Sequence, residues 1–74
     1  MRDYIAHRGD FYTVYRSRCG GLEIVRKADG AAAFFQGDDG ATLADDLDSC
    51  EGLIIGIDFT CSEYDHILEC PPKE

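Results

Sequence analysis

The chain has 74 residues, 45% of them apolar and 11% aromatic, and a formal net charge of −8. That length allows one small domain, residues 1–74, whose core supplies only ~3 to 5 kcal/mol, so a staple or a second subunit is a natural supplement. Aromatic residues spread along the whole chain exclude a disordered acidic tail, and no apolar run reaches the ~18 to 20 residues of a membrane span.

The elements follow from turn chemistry and periodicity. A short strand is expected over Tyr4 to Arg8, broken at Gly9-Asp10. Phe11 to Ser17 is rich in aromatic and β-branched residues and ends at Gly20-Gly21, which predicts a strand feeding a hairpin. Leu22 to Lys27 gives the next strand, Asp29-Gly30 the next turn, and Ala31 to Gln36 a third strand. Gly37 to Gly40 interrupts the pattern. From Ala41 to Cys50 the apolar positions Leu43, Leu47 and Cys50 recur at helical spacing, with Asp38 or Asp39 as the expected cap and Glu51-Gly52 as the stop. Leu53 to Phe59 is an apolar run of strand length that predicts a fourth strand, with a continued helical region as the alternative. Ser62-Glu63-Tyr64-Asp65 has the form of a capping box and opens a last short helix bearing Tyr64, Ile67 and Leu68, ended by Pro71-Pro72. The expected fold class is therefore α+β: a small antiparallel sheet of three to four strands packed against one or two short helices.

Charge is divided by position. Residues 1–27 hold six bases against three acids, a net of +3, whereas residues 28–74 hold twelve acids and one base, Lys73, a net of −11. On the first helix, a rotation of 100° per residue places Asp45 and Asp48 opposite the leucine stripe and Asp46 on its flank. Like charges three or four positions apart cost a helix roughly 0.2 to 0.5 kcal/mol per pair. A solvated face is the commoner meaning of such a run. The acid bias persists through Glu51, Asp58, Glu63, Asp65 and Glu69, which favours a surface that meets a basic partner. Neighbouring carboxylates on a helix lie about 5 to 6 Å apart, close to the ~7 Å between phosphates along a strand, so a Lys/Arg groove built for nucleic acid could accept them. Direct binding to nucleic acid or an anionic membrane is disfavoured by the same charge.

Other chemistry is weaker. Cys19, Cys50, Cys61 and Cys70 have no Cys-x-x-Cys pair, and the amino terminus lacks the apolar stretch of a secretory signal. Reduced, partly buried thiols in a cytoplasmic protein are the first expectation, one disulfide the second and zinc the third. Arg8-Gly9-Asp10 matches a cell-attachment tripeptide but reads better as a polar turn. The acids around Asp38 to Asp46 do not follow the calcium-loop order. Cys61 and His66 lie five apart, about 140° around a helix, so Cys61 belongs with Tyr64 and Leu68 on the packing side. No phosphate loop or nucleophile elbow is present, so no enzyme activity, metal or cofactor is expected.

The stretch from Gly20 to Asp39 (GGLEIVRKADGAAAFFQGDD) is similar to small proteins of bacteriophages and mobile elements. The acidic, sub-80-residue build resembles phage anti-CRISPR inhibitors. That resemblance implies a stoichiometric inhibitor in the host bacterial cytoplasm that blocks the nucleic-acid channel of a CRISPR effector. The first expectation is accordingly a non-enzymatic inhibitor or adaptor that docks on a basic nucleic-acid-binding protein through Asp45, Asp46, Asp48, Glu51, Asp58, Glu63, Asp65 and Glu69. The second is a structural or interaction protein of a phage or mobile element that self-associates through an apolar sheet face bearing Phe34, Phe35 or Ile54. The third is a metal or redox module built from Cys50, Cys61, Cys70 and His66.

Overall fold

The structure, a computed structural model, describes residues 4–18 and 20–70. Four strands, β1 (Tyr4–Arg8), β2 (Tyr12–Arg16), β3 (Leu22–Arg26) and β4 (Ala32–Phe35), form an antiparallel meander in sequence order. Helices α1 (Gly37–Asp48) and α2 (Ile54–Ser62) cover one face, followed by a single 3-10 turn, Asp65–Ile67. This is the expected α+β architecture.

The alternation of side chains makes one face of the sheet apolar. Val14 opposes Ile24 and Leu22 opposes Phe35, so these four point together toward the helices. Leu43 and Leu47 of α1 and Ile57 and Cys61 of α2, each pair four residues apart, close over them. Val14, Ile24, Leu43, Leu47 and Cys61 are wholly buried. The hairpin turns use left-handed glycines, Gly20 at φ 91° and Gly30 at φ 78°. On the opposite face of the sheet the Phe34 ring lies over Gly21, where a Cβ would come within 2.3 Å of it. The register of β1 against β2 shifts between Ile5 and His7, a bulge at Ala6 that bends this edge strand. At the other edge, Glu69 exchanges backbone hydrogen bonds with Ala32 at 2.9 and 3.0 Å and partly covers β4.

Several expectations need correction. The run over residues 53–59 forms helix α2 rather than a fourth strand; the fourth strand is Tyr4–Arg8. A strand would have faced Ile55 and Ile57 the same way, whereas the core takes Ile57 and Cys61 and leaves Ile55 84% exposed. Helix α1 begins at Gly37, four residues early. Gly40 serves packing rather than breaking, since a Cβ there would lie 3.1 Å from the Phe35 carbonyl oxygen, and Gly37 enters the helix at φ 65°. The N-cap is Gln36, and Asp38 and Asp39 lie in the first turn with no side-chain cap bond, where they still face the positive end of the helix dipole. Ser62 ends α2 and donates to the Phe59 carbonyl oxygen at 2.7 Å, so it caps no helix and only the 3-10 turn follows. Ile67 is 42% exposed. Phe34, Phe35 and Ile54 share no face: Phe35 is in the core, Phe34 is on the back of the sheet and Ile54 is on α2. Cys19 and the Pro71-Pro72 stop lie outside the described residues.

The two leucines of α1 are the most exacting contacts. Leu47→Ala is expected to cost about 2 to 5 kcal/mol in urea unfolding, enough to leave a chain of this size largely unfolded at 25 °C. Ile55→Ala, unfolded at a dilution where the chain is monomeric, should stay within about 0.5 kcal/mol of wild type, because that side chain is already in water in the single chain.

Candidate partner-binding surfaces

The eight acids expected to meet a partner do not form one set. Asp45, Asp46 and Asp48 are exposed on α1, opposite to or flanking its leucine stripe as the helical rotation requires. Glu51 projects from the turn between the helices and holds φ at 54°, the left-handed region that costs a side chain free energy. Glu63 follows α2 and comes near Asp46 and Asp39 around the Tyr64 phenol. Burial, then Asp46, then Glu63, raise the pKa of that phenol, which remains a neutral hydroxyl among carboxylates. Tyr64 itself packs edge-on against Phe35, ring centroids 5.2 Å apart.

The other acids serve the fold. The Asp58 carboxylate accepts hydrogen bonds from the backbone N–H groups of Asp10 at 2.9 Å and Phe11 at 3.1 Å, tying α2 to the β1–β2 turn. Glycine at the first position of the turn leaves room for this carboxylate: a Cβ on Gly9 would stand 2.1 Å from an Asp58 oxygen and displace it. Arg8-Gly9-Asp10 is therefore a structural turn with Gly9 buried between an exposed Arg8 and an exposed Asp10. Asp65 accepts from the Tyr12 hydroxyl at 2.8 Å and from Arg26 Nη1 at 2.6 Å. Arg26 donates through Nε and Nη2 to both oxygens of Asp29, a bidentate pair at 3.0 and 2.8 Å. Glu69 is exposed, but its backbone is held on β4. An isolated acid in an apolar run, as Asp58 is, was the available sign of an internal role.

These bonds move the titrating groups in consistent directions. Arg26 holds the Asp29 carboxyl far below the ordinary carboxylate range, and the Tyr12 hydroxyl, then Arg26, lower that of Asp65. Burial, with Asp65 beside it, pushes the Tyr12 phenol up to about 12. His7 lies 3.7 Å from the exposed Asp48 side chain, yet burial outweighs that carboxylate and lowers the pKa of the imidazole, which favours its uncharged form at neutral pH. Burial pushes the Cys61 thiol up to about 12, which removes it as a nucleophile at neutral pH. Cys50, Cys61 and Cys70 are free thiols; Cys50 packs beside Gly56 and Thr60 between the helices, and Cys70 is exposed. Among the described residues no three Cys, His, Asp or Glu groups converge as metal ligands, and no helix is long and apolar enough to cross a membrane.

A second surface escaped the sequence reading. Leu53, Ile55 and Phe59 are 67%, 84% and 67% exposed, and Phe11, at 69%, stands across a cleft of about 620 Å³ from Phe59. Tyr12, Lys27, Ala28 and Ser62 also line this cleft. Comparison of the chain with protein-family models, with curated proteins and with solved structures gave no significant match.

The Arg26 network carries a pH signature. Asp29 and Asp65 have folded values below the ~3.9 of an unfolded aspartate, so their stabilisation is complete above about pH 4 to 5 and fades as pH falls through the folded values. Urea midpoints of wild type and Arg26→Gln should therefore differ by a constant amount from pH 7 to about pH 5 and converge below about pH 4. A gap that persists unchanged to pH 2 would show that the arginine acts by packing alone.

Proposed function

We infer that this chain is a non-enzymatic binding protein, an inhibitor or adaptor that docks through the acidic face of α1 on a basic nucleic-acid-binding protein and competes with its nucleic acid. The observation that carries this reading is the position of Asp45, Asp46 and Asp48. All three crowd the C-terminal end of α1, where the helix dipole is already negative, and the last turn holds no base to compensate them. Asp45 and Asp48 also repel each other across one turn. None of the three carboxylates is buried in the core. A cluster that opposes local stability and is held on a rigid helix is what a docking surface for a cationic partner requires, and Glu51 and Glu63 extend it on either side.

The build resembles phage anti-CRISPR inhibitors, and under that reading the partner is a CRISPR effector in the host bacterial cytoplasm, with α1 occupying part of the channel for guide RNA or target DNA. Asp58 and Asp65 then contribute to the potential at a distance, because their oxygens are committed to the Gly9–Phe11 turn and to Arg26 and Tyr12.

Tagged protein should capture a basic partner from host lysate at low salt and release it both to raised salt and to added duplex DNA. The variant Asp45→Lys/Asp46→Lys/Asp48→Lys should lose capture while melting at the same or a higher temperature, since cations at a helix C-terminus contribute about 0.3 to 1 kcal/mol each. Capture that survives charge reversal, or that is indifferent to salt and DNA, overturns the reading.

A further inference from the structure

Among the described residues nine large apolar side chains are exposed, and four of them, Leu53, Ile54, Ile55 and Phe59, belong to α2 and its N-cap. The helix is apolar nearly all round, a composition that suits a helix covered on both sides, yet only the side bearing Ile57 and Cys61 meets the sheet. Ile55 and Phe59, four residues apart and about 160° from Ile57 in opposite senses, form the uncovered stripe. It runs into the cleft between Phe59 and Phe11.

We propose that this outer face of α2 closes against the same face of a second copy of the chain, giving a two-fold symmetric dimer packed α2 on α2. The available area fits. An aromatic side chain has ~150 to 250 Å² to bury, so Phe11 and Phe59, 69% and 67% exposed, offer roughly 200 to 340 Å². The exposed parts of Leu53, Ile54 and Ile55 bring the supply to roughly 500 Å². A standard interface buries about 800 Å² per partner, about 65% of it apolar in homodimers, a demand of roughly 520 Å².

Charge also fits a second copy. Asp58 is the one charged residue within Ile54–Ser62, and its carboxylate is turned onto the Asp10 and Phe11 N–H groups, so two stripes can meet without burying an unpaired carboxylate between them. The rim of the cleft carries both signs, Lys27 and Asp10, and a two-fold contact sets each against its opposite on the other copy. The stripe itself bears no acid for a basic partner to read. Elsewhere the copies repel, each carrying −8. Screening that repulsion strengthens the contact, the reverse of what salt does to docking through α1.

Sedimentation velocity of the full chain, from micromolar to submillimolar concentration and from about 0.05 to about 0.5 M NaCl, tests this. The wild type is expected to be a dimer in the upper part of that range, with the dimer fraction rising with salt. Ile55→Ser/Phe59→Ser, which leaves the net charge alone, should weaken dimerisation at least about 100-fold with an unchanged circular-dichroism spectrum. Phe34→Ser, on the back of the sheet, should dimerise like wild type. A wild type that stays monomeric throughout, a dimer that survives Ile55→Ser/Phe59→Ser or is lost in Phe34→Ser, or growth beyond the dimer overturns the proposal. None of these outcomes bears on capture of a basic partner, which charge reversal on α1 tests separately.

Discussion

A four-stranded meander with one apolar face can be closed only if its helices deliver side chains in pairs at the right depth, and this chain has two short helices with which to do it. Each contributes one pair four residues apart, Leu43 with Leu47 and Ile57 with Cys61, against Val14, Leu22, Ile24 and Phe35. The glycines follow from that closeness. Gly40 lets α1 approach the Phe35 carbonyl, and Gly56 lets α2 lie against Cys50. With so few core residues, the chain adds polar ties at the perimeter: Asp58 fixes the β1–β2 turn to α2, and Asp65 joins the 3-10 turn after α2 to Tyr12 and Arg26. These ties span 39 to 53 residues, so they hold together elements that sequence separation would leave to loop entropy.

How much of this was legible depended on how local the cause was. Turns announced themselves through Gly20-Gly21 and Asp29-Gly30, and the strands between them are found within a residue or so of where turn chemistry puts them. The Leu43/Leu47 stripe likewise gave α1. Helix α2 departs from the expected strand because Leu53 to Phe59 is β-branched and aromatic with apolar residues at both parities, so the run itself does not separate strand from helix. The separating signal lay beyond it. Cys61, Tyr64 and Leu68 already formed a packing stripe, and stepping back four residues reaches Ile57. Gly37 to Gly40 has the composition of a break because glycine disfavours helices in isolation, whereas the tertiary contact of Gly40 with Phe35 outweighs propensity.

The acids divide by the same logic. Which carboxylates project freely from α1 follows from rotation about a helix axis and is readable in advance. Which ones are committed to distant N–H groups and to Arg26 depends on the tertiary fold and is not. The division sharpens the functional reading, since it moves its weight from a diffuse charge to Asp45, Asp46, Asp48, Glu51 and Glu63 on and beside one rigid helix.

The two helices thus present contrasting surfaces to water. Helix α1 keeps an apolar stripe inward and sends charge outward, the ordinary solution for a surface helix, except that its charge is of one sign and three of its five acids, Asp45, Asp46 and Asp48, lie at the end where its dipole opposes them. Helix α2 sends Ile55 and Phe59 outward and keeps its single acid turned to a backbone turn. Water favours neither arrangement. A helix can lower the free energy of the first by placing bases in its own last turn and of the second by covering the stripe; the last turn of α1 holds no base, and Ile55 and Phe59 stay exposed. The contacts that would relieve the two costs are chemically distinct, one cationic and salt-weakened, the other apolar and salt-strengthened, so occupation of one face leaves the chemistry of the other unspent.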